Sequence, residues 1–403
     1  MRAIGPVFSG LLCLLLVIPA GPVAAQSPSG SPDSSAATPP VVGPDGMDGP
    51  PDPSIGPAWR PALDRPLQVL HAQVVTCAEG FTAMAFGHDE RRHGRALVWT
   101  SLDGERWTPG DELRPRVDRI DRWSVQRLVV LRDGLYAIGG DGRALAVWRS
   151  ADCGASWQRL QDPAFALGRD AIGVGGLDAA ATGSRILVMG RQGGEGIPSR
   201  RWAWTMEADG AWRRIPGALD GVADWGLDSD GMSFVAAGPD VVLDSTSSSV
   251  QLVTSSDAQT WTEAGPLPDT SVPAVPDPVG GRLLFPTGEA GTGSITNQLL
   301  TSPDGAAWRL LAHAAPMPGG SSGHVTAEDG VLIWIVNAGL DDDDPDWSWV
   351  GVSRDGGATW SVSAGWPWMT LRGTTSVAVN DDHVVLLNTG PRFDAVRIHV
   401  LPR

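Results

Sequence analysis

A short segment recurs along the chain and constrains its fold more than any other feature. It reads S-L-D-G-E-R-W at Ser101–Trp107, S-A-D-C-G-A-S-W at Ser150–Trp157 and S-S-D-A-Q-T-W at Ser255–Trp261. It reads S-P-D-G-A-A-W at Ser302–Trp308 and S-R-D-G-G-A-T-W at Ser353–Trp360, with a degenerate E-A-D-G-A-W from Glu207 to Trp212. The closing residues Trp107, Trp157, Trp212, Trp261, Trp308 and Trp360 fall about 50 residues apart, a period that signals a repeat architecture. The residues explain the turn. Asp103, Asp152, Asp209, Asp257, Asp304 and Asp355 carry short carboxylates that hydrogen-bond backbone amides nearby, and the glycine that usually follows tolerates positive φ. The tryptophan opens the next strand and is expected to plug the corner beneath the turn.

Strand-like runs fill the space between copies. In one repeat they are Ser124–Leu131, Leu135–Gly139 and Ala144–Arg149, with Asp133-Gly134 making the first hairpin. Phe81–Phe86, Arg185–Met189, Ser233–Ala237, Gly281–Phe285 and Val331–Val336 occupy the second-strand slot elsewhere. Tyr136 stands in that slot where Phe81 stands one repeat earlier, so it reads as core. Each unit is a four-stranded antiparallel meander that cannot bury both faces alone, so neighbours must stack into a β-propeller. The tail holds three strands, at Ser376–Val379, His383–Leu387 and Ala395–Val400. Trp59 precedes Trp107 by one repeat length and is expected to open the strand that completes the tail's sheet. The expected fold is therefore an all-β, seven-bladed propeller closed by its N- and C-terminal strands, with six blades as the alternative.

Composition bounds the rest. The chain of 403 residues has 18 Trp against 7 Phe and 1 Tyr, a skew that suggests one Trp position used repeatedly. No lysine occurs, so all 30 basic residues are Arg. The net charge of -16 argues against nucleic acid as a partner. Residues 1–25 read as a secretory signal: Arg2, an apolar run around Leu11 to Ile18, then Val23-Ala24-Ala25 before a mature start at Gln26. No later segment reads as transmembrane. Residues 26–58, rich in Pro, Ser, Gly and Asp, read as a disordered or extended spacer, and 59–403 as the propeller. The expected location is secreted, extracellular or attached to the cell envelope, as a monomer. Cys77 and Cys153 remain after signal removal; they can form one disulfide or stay as two thiols.

The pattern S-x-D-x-G-x-[TS]-W resembles the Asp-box, or bacterial neuraminidase repeat, over residues 59–403. Ser150–Trp157 and Ser353–Trp360 match it fully. The resemblance implies a propeller of the sialidase-like superfamily, whose members include sialidases, other glycosidases, assembly factors, sorting receptors and binding proteins. It places the box on the face opposite the usual active site. The sialidase motif Arg-Ile-Pro is met here only by Arg60-Pro61-Ala62, and the sole tyrosine, Tyr136, sits in an ordinary blade strand. The sialidase catalytic residues are not matched, and no catalytic residue is assigned.

The loops between second and third strands form the expected working face. The first, Gly87–Arg95, contains His88, Asp89, Arg91 and Arg92, whose guanidinium groups can grip a carboxylate or sulfate bidentately. Arg191–Arg201 adds Arg200 and Arg201, and Arg392 belongs to the same expected cleft. Trp366 and Trp368, beside Gly365 and Pro367, suit a sugar platform or simple packing. Asp341, Asp342, Asp344 and Asp346 make the sharpest acidic run, which suits Ca²⁺ or plain solvation. No cofactor is otherwise expected. The leading expectation is a non-catalytic module binding a glycan or protein ligand at its loop face. A sialidase-like exo-glycoside hydrolase and an envelope assembly factor are the alternatives.

Overall fold

The computed structural model describes residues 41–42 and 67–402, except 79, 116–122, 143, 168–174, 195–196, 216–225, 230–233, 240–249, 267–276, 280–281, 291–293, 315–316, 319–323, 329, 339–346, 367–374 and 390–395. These residues are almost entirely β-structure, with one 3₁₀ turn at Pro163–Phe165. Consecutive strands pair antiparallel into meanders. The first sheet runs Leu67–Cys77, Gly80–Asp89, Gly94–Ser101, Thr108–Pro109; the second runs Trp123–Leu131, Gly134–Asp141, Ala144–Ser150, Gln158–Arg159. The third spans Gly175–Thr182, Arg185–Gly194, Ile197–Met206 and Trp212–Ile215. The fourth spans Gly226–Ser229, Phe234–Pro239, Val250–Ser255 and Thr262–Pro266. The fifth is built on Asp277–Val279, Arg282–Ala290, Ser294–Ser302 and Arg309–Ala314, with short additions at Val41–Val42 and Met317–Pro318. His324–Glu328, Val331–Ala338, Trp347–Ser353 and Ser361–Trp366 make the sixth. Thr375–Val379, His383–Thr389 and Val396–Pro402 make a three-stranded seventh. Trp59 lies outside the described residues.

Second strands such as Gly80–Asp89, Gly134–Asp141 and His383–Thr389 bury both faces, so the sheets pack face to face in chain order. Phe86, Trp123, Leu135 and Trp148 cluster between the first and second sheets. Val129, Tyr136, Ile186 and Trp204 do so between the second and third. Equivalent clusters join each later pair, and Val69, Phe81, Trp99, Val385 and Ile398 join the first sheet to the seventh.

The recurring segment makes the corners. In the first copy Asp103 Oδ1 accepts the amides of Glu105 at 2.9 Å and Arg106 at 2.8 Å, and the Gly104 amide donates to Ser101 Oγ at 2.8 Å. The indole N–H reaches back to the glycine carbonyl, at 3.0 Å from Trp157 to Gly154 and 3.1 Å from Trp360 to Gly357. Trp107 and Trp212 are buried; Trp157, Trp261, Trp308 and Trp360 are half-buried. Glycine is needed for two reasons at once. Gly104 has φ +73°, and a Cβ there would stand 2.7 Å from Val385 Cγ2 of the seventh sheet. Gly154, φ +91°, would meet Thr82 Cγ2 of the first sheet at 2.7 Å. These two turns thus press on a neighbouring sheet.

Polar side chains on the first strands tie neighbouring sheets. Gln73 clamps Leu128, accepting its N–H at 2.7 Å and donating to its carbonyl at 3.2 Å. Ser376 does the same to Val74, and Thr76 Oγ1 donates to Val379 O at 2.7 Å. Gln126 Oε1 accepts the Leu177 amide at 2.6 Å. These bonds satisfy backbone groups that two facing sheets would otherwise leave unpaired.

The cysteines are bridged. Cys77 ends the first strand of its sheet, and Cys153 sits at φ +52° in the box turn of the second sheet, with a Cα–Cα distance of 5.5 Å. Two sequence readings shift. Phe81 and Leu135 are the residues that pair with the box serines Ser101 and Ser150, so Tyr136 matches Thr82 and faces the following sheet. The tryptophan excess also comes from more than one slot: Trp99, Trp148 and Trp204, all buried, lie on third strands just ahead of the box.

Candidate functional site

In a meander the first and third hairpins share one end of the sheet, here the box end. The second hairpins lie at the other. The first of these is a tight turn organised by Asp89. Its side chain is 3% exposed. Its Oδ1 accepts the amides of Arg91 and His93, each at 2.9 Å, while its backbone exchanges bonds with Arg92 and His93. Arg92 takes φ +62° to close the turn. Arg91 and Arg92 are left exposed at the tip. His88 is half-buried with its ring edge-on to Phe86 at 6.0 Å. Arg95 is paired with Glu112 at 3.0 Å. Asp89 therefore holds the turn, and the two arginines beyond it are the groups on offer.

The other expected residues are less gathered. Arg200 and Arg201 lie on the third strand of the third sheet, opposite Gln192 and Arg191, and Arg201 is half-buried. Trp366 ends the outer strand of the sixth sheet, opposite Ser348. Arg392, Trp368, Asp341, Asp342, Asp344 and Asp346 lie outside the described residues. Among the described residues no group of three or more His, Cys, Asp or Glu is placed to hold a metal ion. No helix among them is long and apolar enough to cross a membrane.

A polar row on the first strands was not anticipated. Three of these strands step register, between Val69 and His71, Val125 and Arg127, and Gly175 and Asp178. An ionisable residue follows each step. Arg127 Nε lies 2.5 Å from Asp178 Oδ1, an ion pair between the second and third sheets. Burial, then the Arg127 charge, holds the His71 imidazole below its usual range. The signal lay in polar residues inside otherwise apolar runs, as in L-Q-V-L-H-A-Q-V-V from Leu67 to Val75.

At the box end the disulfide walls a cavity of about 640 Å³ with Phe81, Thr100, Leu102, Arg106 and Asp152. The box carboxylates around this end are committed to their turns. Amides of Thr260 and Gln259 hold Asp257 down to about 2, and the Thr359 hydroxyl and amide hold Asp355 at about 2. Asp103, Asp152 and Asp304 are lowered for the same reason. A carboxylate depressed on folding stabilises above its unfolded value near 4, and that contribution is lost as pH falls toward 2. The stability gap between the wild type and Asp257→Asn is expected to narrow steadily from pH 4 to pH 2 in urea titrations. A gap constant across that window would show that the turn does not hold the charge.

Tyr136 is buried in the seam between the second and third sheets. Burial, and then its hydrogen bond to Asp133 Oδ2 at 2.9 Å, raise the phenol to about 12.

No protein-family model and no curated protein sequence matches this chain. Solved structures resemble it at low identity. A Hadza microbial sialidase, Hz136, is 16% identical over 77% of this chain and 73% of its own, with a TM-score of 0.47. The phage phi92 endosialidase is 11% identical over 87% and 69%, with a TM-score of 0.48. A Penicillium chrysogenum alpha-L-arabinanase complexed with arabinobiose is 12% identical over 87% and 99%, with a TM-score of 0.43.

Proposed function

We propose that this chain is a secreted, seven-bladed β-propeller that binds an acidic ligand at its second-hairpin face without transforming it. The blades are the seven sheets, and the first and last close the ring through the Thr76–Val379 bond and the cluster around Val69 and Val385. Trp59 would supply the strand that completes the seventh sheet. Residues 1–25 would direct export and 26–58 would act as a spacer.

The observation that carries the binding reading is the Asp89 turn. It is locked by four hydrogen bonds, two to the carboxylate and two along the backbone, and presents two exposed arginines. A turn ordered before the ligand arrives loses little entropy on binding. Paired guanidinium groups fit a carboxylate or sulfate. The ligand class is accordingly a glycan bearing such groups, or an acidic protein surface. Arg200, Arg201, Arg392, Trp366 and Trp368 are the further contacts in this reading, and Asp341–Asp346 the place where Ca²⁺ would bind.

The mature chain, 26–403, is tested on an array of carboxylated, sulfated and neutral glycans, with crosslinking pull-down for protein ligands. Retention of acidic ligands, weakened at least tenfold by Arg91→Ala/Arg92→Ala, is the expected result. Equal retention by the double variant would overturn the site. Release of fluorophore from aryl glycosides or sialosides above a boiled control would overturn the non-catalytic reading.

A further inference from the structure

Among the described residues, the fifth sheet is the one whose outer strand has a further strand added to it. An outer strand leaves a row of backbone N–H and C=O groups unpaired, and such edges recruit strands from other molecules. The first two sheets blunt theirs by brevity, with outer strands of two residues, Thr108–Pro109 and Gln158–Arg159. The fifth runs six residues, Arg309–Ala314, and carries Leu310 at 39% exposure, a long edge with an apolar side chain on show. Val41–Val42 pairs parallel with it, Val41 opposite His313 and Val42 opposite Ala314. The partners are more than 270 residues apart in sequence, so this pairing is tertiary, not a local hairpin.

The sequence around this step suits a short strand. It reads Pro39-Pro40-Val41-Val42-Gly43-Pro44. Val41 and Val42 are the only adjacent β-branched residues between 26 and 58, and β-branching favours the extended backbone. Proline has no N–H to donate, so Pro39, Pro40 and Pro44 cannot extend a ladder on either side. The segment can add to an edge but cannot offer a new one of any length.

We propose that Val41–Val42 is a built-in edge strand, which caps the His313–Ala314 end of the fifth sheet's outer strand within the same molecule and denies that end to a strand from a second copy. The spacer then does more than separate the body from its surroundings: it carries a short plug for one end of a long outer strand.

The test uses the mature chain 26–403 and the variant Val41→Pro/Val42→Pro, which removes both donors and lies outside the meanders. Hydrogen exchange and sedimentation velocity are measured on each. Exchange at 311–314 is expected to accelerate at least tenfold in the variant. The variant is also expected to associate at concentrations where the wild type stays monomeric. A synthetic Thr-Pro-Pro-Val-Val-Gly-Pro peptide at millimolar concentration should restore protection at 311–314. Unchanged exchange at 311–314 in the variant would overturn the proposal. So would a wild type whose protection at 311–314 disappears on dilution, because the strand would then come from another copy.

Discussion

Replacing Cys77 and Cys153 together by serine is expected to destabilise the protein by about 4.5 kcal/mol, the chain-entropy value for a loop of this length. The bridge closes 76 residues and fastens the first sheet to the box turn of the second. With an average unfolding entropy for roughly 340 folded residues, that corresponds to a fall of about 6 °C in melting temperature. Calorimetry at a fixed scan rate checks it. Reductant should produce a similar fall in the wild type and none in the double variant. An unchanged melting temperature in both would mean that the sheets hold their positions without the bridge.

The second large effect is expected at Gly104. Alanine there must adopt φ +73° and place its Cβ 2.7 Å from Val385 Cγ2 and 3.2 Å from Val400 Cγ2. The left-handed backbone costs about 1–2 kcal/mol, and forcing a methyl into a packed seam costs about 1–3 kcal/mol more. Gly142 separates the two contributions. It has φ +61° but nothing within 4 Å of its would-be Cβ, so Gly142→Ala should carry the backbone cost alone. Denaturant titration should rank Gly104→Ala well below Gly142→Ala in stability. Equal losses would mean that the Gly104 turn does not press on Val385.

How much of this was legible in the sequence depends on the range of the interaction involved. The box turns were readable because Asp103, Gly104 and Trp107 act on one another within a few residues, and their chemistry is local. Strand positions followed from the same punctuation: His383–Leu387 was expected and His383–Thr389 is observed. What escaped depends on contacts between sheets. Nothing local says that Gln73 will clamp Leu128, or that Arg127 will meet Asp178 across a sheet boundary. Trp99, Trp148 and Trp204 form a second tryptophan set because third strands also fill the seams, a role set by packing between sheets and not by the turn. The Tyr136 position was misplaced by one residue because Gly134 begins its strand with Leu135, not Tyr136, opposite the box serine. At the candidate site the exposed pair Arg91 and Arg92 was legible by composition, whereas the role of Asp89 was not. A carboxylate between His88 and Arg91 reads as a ligand-facing charge until its amide partners are known. Arg392, Trp368 and the 341–346 run lie outside the described residues.

The proposed ring closure rests on the first sheet's box turn meeting the seventh sheet at Gly104 and Val385. A double-mutant cycle between Gly104→Ala and Val385→Ala, followed by urea unfolding, measures that contact alone. Removing the Val385 methyls frees the space the new Cβ needs, so the double variant should be more stable than the sum of the single losses by at least about 1 kcal/mol. Strict additivity would place Gly104 and Val385 apart and contradict the closed ring.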